Sequence, residues 1–138
     1  MPFPQIHSCL MCEDAREERY RKATILGLYG IAPNVEIIIK DMTKPIAPLT
    51  FVLLGGPGGG SFRARVEIRL EGGEHSVQTP PTELPLPESG ARNTNLIFRF
   101  ENILFPSEGT YRFILEVDGE PQYQTTFRVR PGRPEEFQ

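Results

Sequence analysis

Apolar and polar residues alternate with a period of two along most of this chain, a pattern that predicts β-strands. The cleanest case is 62–70, where the even positions are apolar and the odd positions are charged. A shift of one residue would bury four charges there, so the register is well determined. Alternation or short apolar runs rich in β-branched residues mark strands at 6–16, 22–31, 35–39, 49–54, 62–70, 95–101, 109–118 and 122–130. Their number and spacing predict an all-β fold, an antiparallel β-sandwich of about seven to nine strands.

The segment 109–118 is the most informative of these strands. Its sequence Gly109-Thr-Tyr111 resembles the tyrosine corner of immunoglobulin-like sandwiches, in which the phenol bonds to backbone a few residues upstream. This resemblance implies an immunoglobulin-like fold. It also implies a structural role for Gly109 and for Tyr111, whose hydroxyl we expect to bond to backbone near 105–108.

The length of the connection after this strand can be predicted from strand pairing, because directly opposed residues of an antiparallel pair share a face. The apolar faces of the last two strands require Leu115 to lie opposite Tyr123. A regular two-residue turn at Asp118–Gly119 would shift this pairing by one residue. We therefore predict a bulge or a three-residue loop that uses Glu120 or Pro121, since proline has no N–H to leave unpaired.

The segment 22–31 is apolar on both faces. Period-two counting places Leu26 and Leu28 on one face and Ile25, Tyr29 and Ile31 on the other. Such a strand is either central and covered on both sides, or lies against an oligomeric partner.

Two loops and a tail complete the domain. At 138 residues, the chain suits one domain at 1–130, followed by a flexible C-terminal tail at 131–138. The glycine-rich loop at 55–61 is predicted to be mobile, and the segment 79–90, which holds four prolines, is predicted to be a long loop.

Composition limits the partners and the compartment. A net charge of −3 gives no electrostatic reason to expect nucleic acid, and a membrane role is equally unsupported. The N-terminus lacks the features of a signal peptide, so a cytoplasmic location is expected. Two cysteines in that compartment are expected to be reduced thiols.

One cluster of residues could carry chemistry. Cys9 and Cys12 lie three apart with His7 nearby, and His75 is the one other histidine that could complete a zinc site. Within a strand, however, residues three apart point to opposite faces, and a redox Cys-x-x-Cys motif needs a helix N-terminus. We therefore assign no metal, cofactor or catalytic residues, and name His7, Cys9 and Cys12 as the candidates for such a site.

Short motifs along the chain resemble a family of short bacterial all-β proteins of unknown function. In that family a Cys-Asp/Glu strand precedes an Ile-Gly-Ile-Phe/Tyr strand, and the C-terminus carries a Gly-x-Tyr-x-Phe hairpin. Matching residues are Cys12-Glu13-Asp14, 25–30, and Gly109, Tyr111 and Phe113. The resemblance implies a β-sandwich of this length and brings no activity or site residue.

Three functions remain open from the sequence. The favoured one is a non-catalytic interaction or scaffold module that binds a protein partner or itself, because 22–31 is apolar on both faces. The second is small-molecule or carbohydrate binding in a cleft lined by loops. The third is a thiol or metal-dependent enzyme using His7, Cys9 and Cys12.

Overall fold

The computed structural model describes residues 2–18, 22–46, 48–88, 90 and 92–137 of the chain. Residues 19–21, which lie between the first two predicted strands, are outside this description. The described residues form ten strands and one short 3₁₀ turn. The strands are β1 (Ile6–Glu17), β2 (Ala23–Ile31), β3 (Glu36–Ile39), β4 (Leu49–Gly55), β5 (Gly60–Leu70), β6 (Ser76–Gln78), β7 (Thr82–Leu86), β8 (Thr94–Phe100), β9 (Gly109–Val117) and β10 (Glu120–Pro131), and the 3₁₀ turn is Pro134–Phe137.

The strands form two sheets. The four-stranded sheet has the order β2-β1-β4-β8, and the six-stranded sheet has the order β3-β10-β9-β5-β6, with β7 also paired to β5. All pairs are antiparallel except β3 with β10, which is parallel. The predicted all-β class is confirmed. β7 adds a strand inside 79–90, which the prolines had suggested was a loop.

The core lies between the two sheets. Phe51 of the four-stranded sheet stacks on Phe113 of the six-stranded sheet, with ring centroids 4.5 Å apart. Both side chains are fully buried, as expected for inward positions of alternating strands. The outward positions of β5 and β9 carry ion pairs, such as Arg65 with Glu116 at 2.9 Å.

The β9–β10 hairpin confirms the predicted bulge and the predicted pairing of its strands. Leu115 lies opposite Tyr123, and the register shifts between Pro121 and Tyr123, as a bulge requires. The turn itself contains two residues, Asp118 and Gly119, both with positive φ (50° and 85°). This is the turn geometry that suits strand twist, and the bulge that follows it restores the inward face of β10.

The glycine-rich loop is anchored to the N-terminal segment by hydrogen bonds, while its mobility stays a prediction. The amide of Gly59 donates to the carbonyl of Pro2 (3.2 Å), and that of Gly56 donates to the carbonyl of Gln5 (2.9 Å). Phe3 packs edge-on against Phe62 at the start of β5, with centroids 5.1 Å apart. The N-terminal segment therefore holds the loop against the body of the domain.

The C-terminal segment also contacts the domain. Within 131–138, the 3₁₀ turn brings Glu136 to Arg130 of β10, whose guanidinium donates two hydrogen bonds of 2.9 and 2.8 Å to the carboxylate. The flexibility expected for 131–138 stays a prediction. No helix among the described residues is long and apolar enough to cross a lipid bilayer.

Candidate functional site

β2 is the edge strand of the four-stranded sheet, where it pairs with β1 alone. The alternative in which this strand is central and covered on both sides is therefore wrong. Leu26, Leu28 and Ile31 on β2 have relative exposures of 41%, 55% and 54%. Among the described residues, Leu104 (42%) is the one other large apolar side chain with this degree of exposure.

A bulge in β2 changes which side chains share a face. Leu28 pairs with Cys12 and Ile31 pairs with Leu10, while Tyr29 is the extra residue at the register shift. Leu10 and Cys12 both belong to the apolar cluster on the outer face of the sheet. The bulge therefore places Leu28 and Ile31 together on that face, whereas simple period-two counting had placed them on opposite faces.

The outer face next to β2 is apolar as well. Cys12 and Val52 are buried there, although this face points away from the main core. Half-buried side chains cover them; these are Leu10, Ile25, Leu54 and Ile97. The exposed side chains of β2 thus continue an apolar surface rather than standing singly.

The other sheet edges carry features that discourage strand pairing. β6 has three residues, and β3 has four, with Glu36 ion-paired to Arg130 at 2.9 Å. β7 contains Glu83 and Pro85. β8 carries Arg99, and part of this strand lines a cleft together with residues 15–18. β2 has no charge and no proline in its nine residues, although the bulge at Tyr29 and the left-handed Gly27 limit regular pairing to short stretches of this edge.

Contacts at the base of the β1–β2 hairpin fix its position on the sheet. The guanidinium of Arg99 on β8 binds the carboxylate of Asp14 and the carbonyl of Ala15, which holds the pKa of Asp14 below its usual range. Thr50 Oγ1 donates to the carbonyl of Glu13 at 3.1 Å. β4 separates β1 from β8 in the sheet, so these bonds tie the hairpin across the outer face.

Gly27 leaves room for the side chain of Glu13 and adopts a left-handed backbone conformation. Its φ is +63°, and a Cβ at this position would lie 2.6 Å from Cδ of Glu13. The side chain of Glu13 therefore occupies the space above the glycine. Any larger residue at position 27 would disturb the hairpin that presents the exposed edge.

A cleft of about 780 Å³ lies where the end of this hairpin approaches β7 and β8. Its walls combine apolar and charged side chains, and the hydroxyl of Thr94 is buried there without a hydrogen-bond partner in the described residues. The loop at 55–61 does not line it, but part of 79–90 does. The lining residues include Arg16, Lys22, Leu84, Leu86, Leu96 and Arg99.

The structure separates the thiol and histidine candidates. Cys9 faces the main core, where burial raises the pKa of its thiol to about 12. Cys12 belongs to the outer cluster, and burial raises the pKa of this thiol too. His7 lies exposed at the register shift in the pairing of β1 with β4. The described residues contain no group of three or more His, Cys, Asp or Glu side chains suited to a metal.

The residues assigned structural roles lie in one region of the six-stranded sheet. Gly109 begins β9, and the hydroxyl of Tyr111 bonds to the backbone at Ser107, as the sequence predicted. Asp118 is held by β5, because its amide donates to the carbonyl of Arg63 (2.8 Å) and its carboxylate accepts from the Arg63 amide (2.9 Å). Sequence reasoning did not single out the exposed side chains of β2 as binding residues, although the uncharged run 23–31 was the available signal.

Comparison with family models matches residues 49–130 to a family of unknown function (DUF6941). The match covers β4 to β10, including Gly109, Tyr111 and Phe113. The Cys-Glu-Asp and Ile-Leu-Gly-Leu-Tyr motifs on β1 and β2 precede it. No curated protein matches the chain.

Proposed function

The chain belongs to DUF6941, a family of unknown function, and we propose that it is a non-catalytic interaction module whose binding surface is the β2 edge with the adjoining outer face. The single observation that carries this proposal is the nine-residue, uncharged and proline-free edge strand with three exposed aliphatic side chains. An extended segment of a partner would add to this edge through main-chain hydrogen bonds.

The energetics favour use of this surface in binding. Full burial of a Leu or Ile side chain contributes about 1.5–3 kcal/mol relative to full exposure. Leu26, Leu28 and Ile31 are each about half exposed. Covering all three would contribute about 3 kcal/mol to the free energy of binding. This figure does not include the gain from main-chain hydrogen bonds or the cost of lost translational freedom.

The thiols support a non-catalytic role. A nucleophilic or redox cysteine needs a lowered pKa and access to solvent. Cys9 and Cys12 are both buried, and burial raises the pKa of each. Both are free cysteines, which supports our proposal of a cytoplasmic location.

Affinity capture with matched variants tests the proposed function. The tagged chain is compared with Leu28→Lys and with Leu104→Lys, which adds the same charge at a similarly exposed leucine. We expect Leu28→Lys to lose proteins that the unaltered chain and Leu104→Lys both retain, including untagged copies of the chain. A set of captured proteins that is identical for all three baits would refute a role for β2.

Small-molecule binding in the cleft is a second candidate. The observation that favours it is the cleft of about 780 Å³, whose walls combine apolar side chains with charged ones. Ligand screening by thermal shift tests this candidate, and a hit should lose affinity in Lys22→Ala, a substitution of an exposed residue on the cleft wall. A screen without stabilising compounds would count against the cleft.

A further inference from the structure

We infer that the far half of the β1–β2 hairpin, residues 13–17 and 23–26, is a flap that opens as a unit and controls access to the outer face of the four-stranded sheet. The pairing of β1 with β4 ends at Cys12, whereas its pairing with β2 continues to Glu17. The flap is the part of the hairpin beyond that point. The inference goes beyond the proposed function, because it concerns how the free domain covers this face.

The flap covers the outer face through a small apolar contact. Ala15 of β1 pairs with Ile25 of β2, and both pack in one cluster with Val52 of β4. Ile97 of β8 joins the same cluster. Cys12, where the flap begins, is fully buried, although it lies outside the main core. Because Cys12 belongs to the cluster that the flap closes, its burial depends on the flap.

A latch on Arg99 of β8 holds the flap down. Its Nη2 atom donates to the carboxylate of Asp14 and to the carbonyl of Ala15, the latter at 3.2 Å. The side chains of Arg99 and Asp14 are 42% and 27% exposed, so solvent weakens this ion pair. In the described part of the chain, no strand pairing joins 13–17 or 23–26 to β4 or β8. A segment held in this way opens more easily than the sheets themselves.

Gly27 marks the hinge of the flap. It lies between the pairs Leu28–Cys12 and Leu26–Asp14, at the point where β1 leaves β4. Its φ of +63° is left-handed, and glycine inside a strand commonly marks a tight bend. The bend of the hairpin therefore coincides with the end of the pairing between β1 and β4.

Opening of the flap would enlarge the apolar surface of the domain. Val52 and the half-buried Ile97 would join Leu28 and Ile31, which are already exposed on this face. The main core lies between the two sheets and would stay closed. The flap therefore limits how much apolar surface the free domain exposes.

Alkylation of Cys12 measures the opening, with Cys9 as the internal control. Cys9 lies in the main core, so unfolding of the domain is needed to label it, whereas opening of the flap is enough to label Cys12. Mass spectrometry follows both thiols after timed exposure to iodoacetamide without denaturant. Arg99→Ala should raise the rate of Cys12 labelling at least about tenfold, because it removes both hydrogen bonds of the latch. Cys9 should stay protected in this variant.

Two further variants complete the test. Arg112→Ala is the matched control, because Arg112 forms an ion pair with Glu71 at 2.6 Å and its side chain is 39% exposed. This variant should leave Cys12 as protected as in the unaltered chain. Asp14→Asn keeps the bond from Arg99 to the carbonyl of Ala15, so it should raise the labelling of Cys12 less than Arg99→Ala does.

Three outcomes would overturn the inference. The first is equal protection of Cys12 in Arg99→Ala and in the unaltered chain. The second is labelling of Cys9 and Cys12 at the same rate in Arg99→Ala, since the whole domain would then be opening. The third is an equal rise in Arg112→Ala. No partner takes part in this experiment, so it can fail while the capture experiment succeeds, and the reverse.

Discussion

Tyr111 donates a hydrogen bond from its phenol to the carbonyl oxygen of Ser107, 2.7 Å away and four residues upstream. The ring is fully buried and stacks on Phe127, with centroids 5.9 Å apart. The bond ties the segment before β9 to the core, because one end of the phenol is in apolar contact and the other end bonds to backbone.

Tyr111→Phe isolates the contribution of this hydrogen bond. The substitution keeps the ring and removes the hydroxyl, which leaves the Ser107 carbonyl without this donor. We expect the free energy of unfolding to fall by about 1 kcal/mol. Urea denaturation of the variant measures the change. Tyr29→Phe, in a half-buried tyrosine of β2, serves as the control, and an equal loss there would show that the bond to Ser107 has no special role.

The β9–β10 pairing could be predicted from sequence because its inward face is fixed by burial. Once Tyr111 and Leu115 must point inward, the period of two leaves a single set of partners on β10. The bulge then follows from counting the residues between the inward-facing positions of β9 and their partners on β10. Each step uses information that lies within a few residues of the turn.

The exposure of β2 could not be predicted in the same way. Periodicity shows that a strand has two apolar faces, but it does not show which strands lie beside it. Strand order depends on contacts between distant segments, such as the bond from Arg99 to Asp14. The bulge at Tyr29 also changes the face of Ile31 without a sequence signal that period-two counting can detect.

The anchored glycine-rich loop was missed for a related reason. Glycine permits flexible backbone, but it also permits close approach of another chain segment. At Gly58 a Cβ would lie 2.7 Å from the backbone nitrogen of Pro4 and 2.9 Å from the carbonyl oxygen of Pro2. Position 58 therefore has no room for a side chain. The sequence around it does not reveal this close contact.

Gly58→Ala should destabilise the domain. The added methyl group meets backbone atoms of the N-terminal segment, so Pro2–Pro4 or the loop must shift, at a cost of about 1–3 kcal/mol. Thermal and urea denaturation measure the loss. Gly56→Ala is the matched control, because its Cβ would meet only Nε2 of the exposed His7, at 3.3 Å. Equal stability of the two variants would contradict the anchored loop.

The buried thiols should resist alkylation in the folded protein. The raised pKa of Cys9, about 12, leaves roughly one thiolate in ten thousand at pH 8. We expect mass spectrometry to show neither Cys9 nor Cys12 modified by iodoacetamide until denaturant is added. Rapid labelling of Cys12 in the native state would restore the hypothesis of a thiol enzyme.

The C-terminal turn should depend on the charge of Glu136. Hydrogen bonds from Arg130 and from the amide of Arg133 lower the pKa of this carboxyl to about 2, from an ordinary value of 4.5. Because the pKa is lower in the folded state, the stabilisation is fully present above about pH 4.5. It is lost as the pH falls through about 2.

Glu136→Gln at neutral pH reproduces the loss of that charge. The variant should keep the sandwich but exchange the amide hydrogen of Arg133 faster, since this amide donates to Glu136 Oε1 at 2.9 Å. Hydrogen exchange followed by NMR measures the effect. Glu135→Gln is the control, because Glu135 lies 3.8 Å from the exposed guanidinium of Arg133 and makes a weaker ion pair. If exchange at Arg133 is equally fast in both variants and in the unaltered chain, Glu136 does not hold the turn against β10.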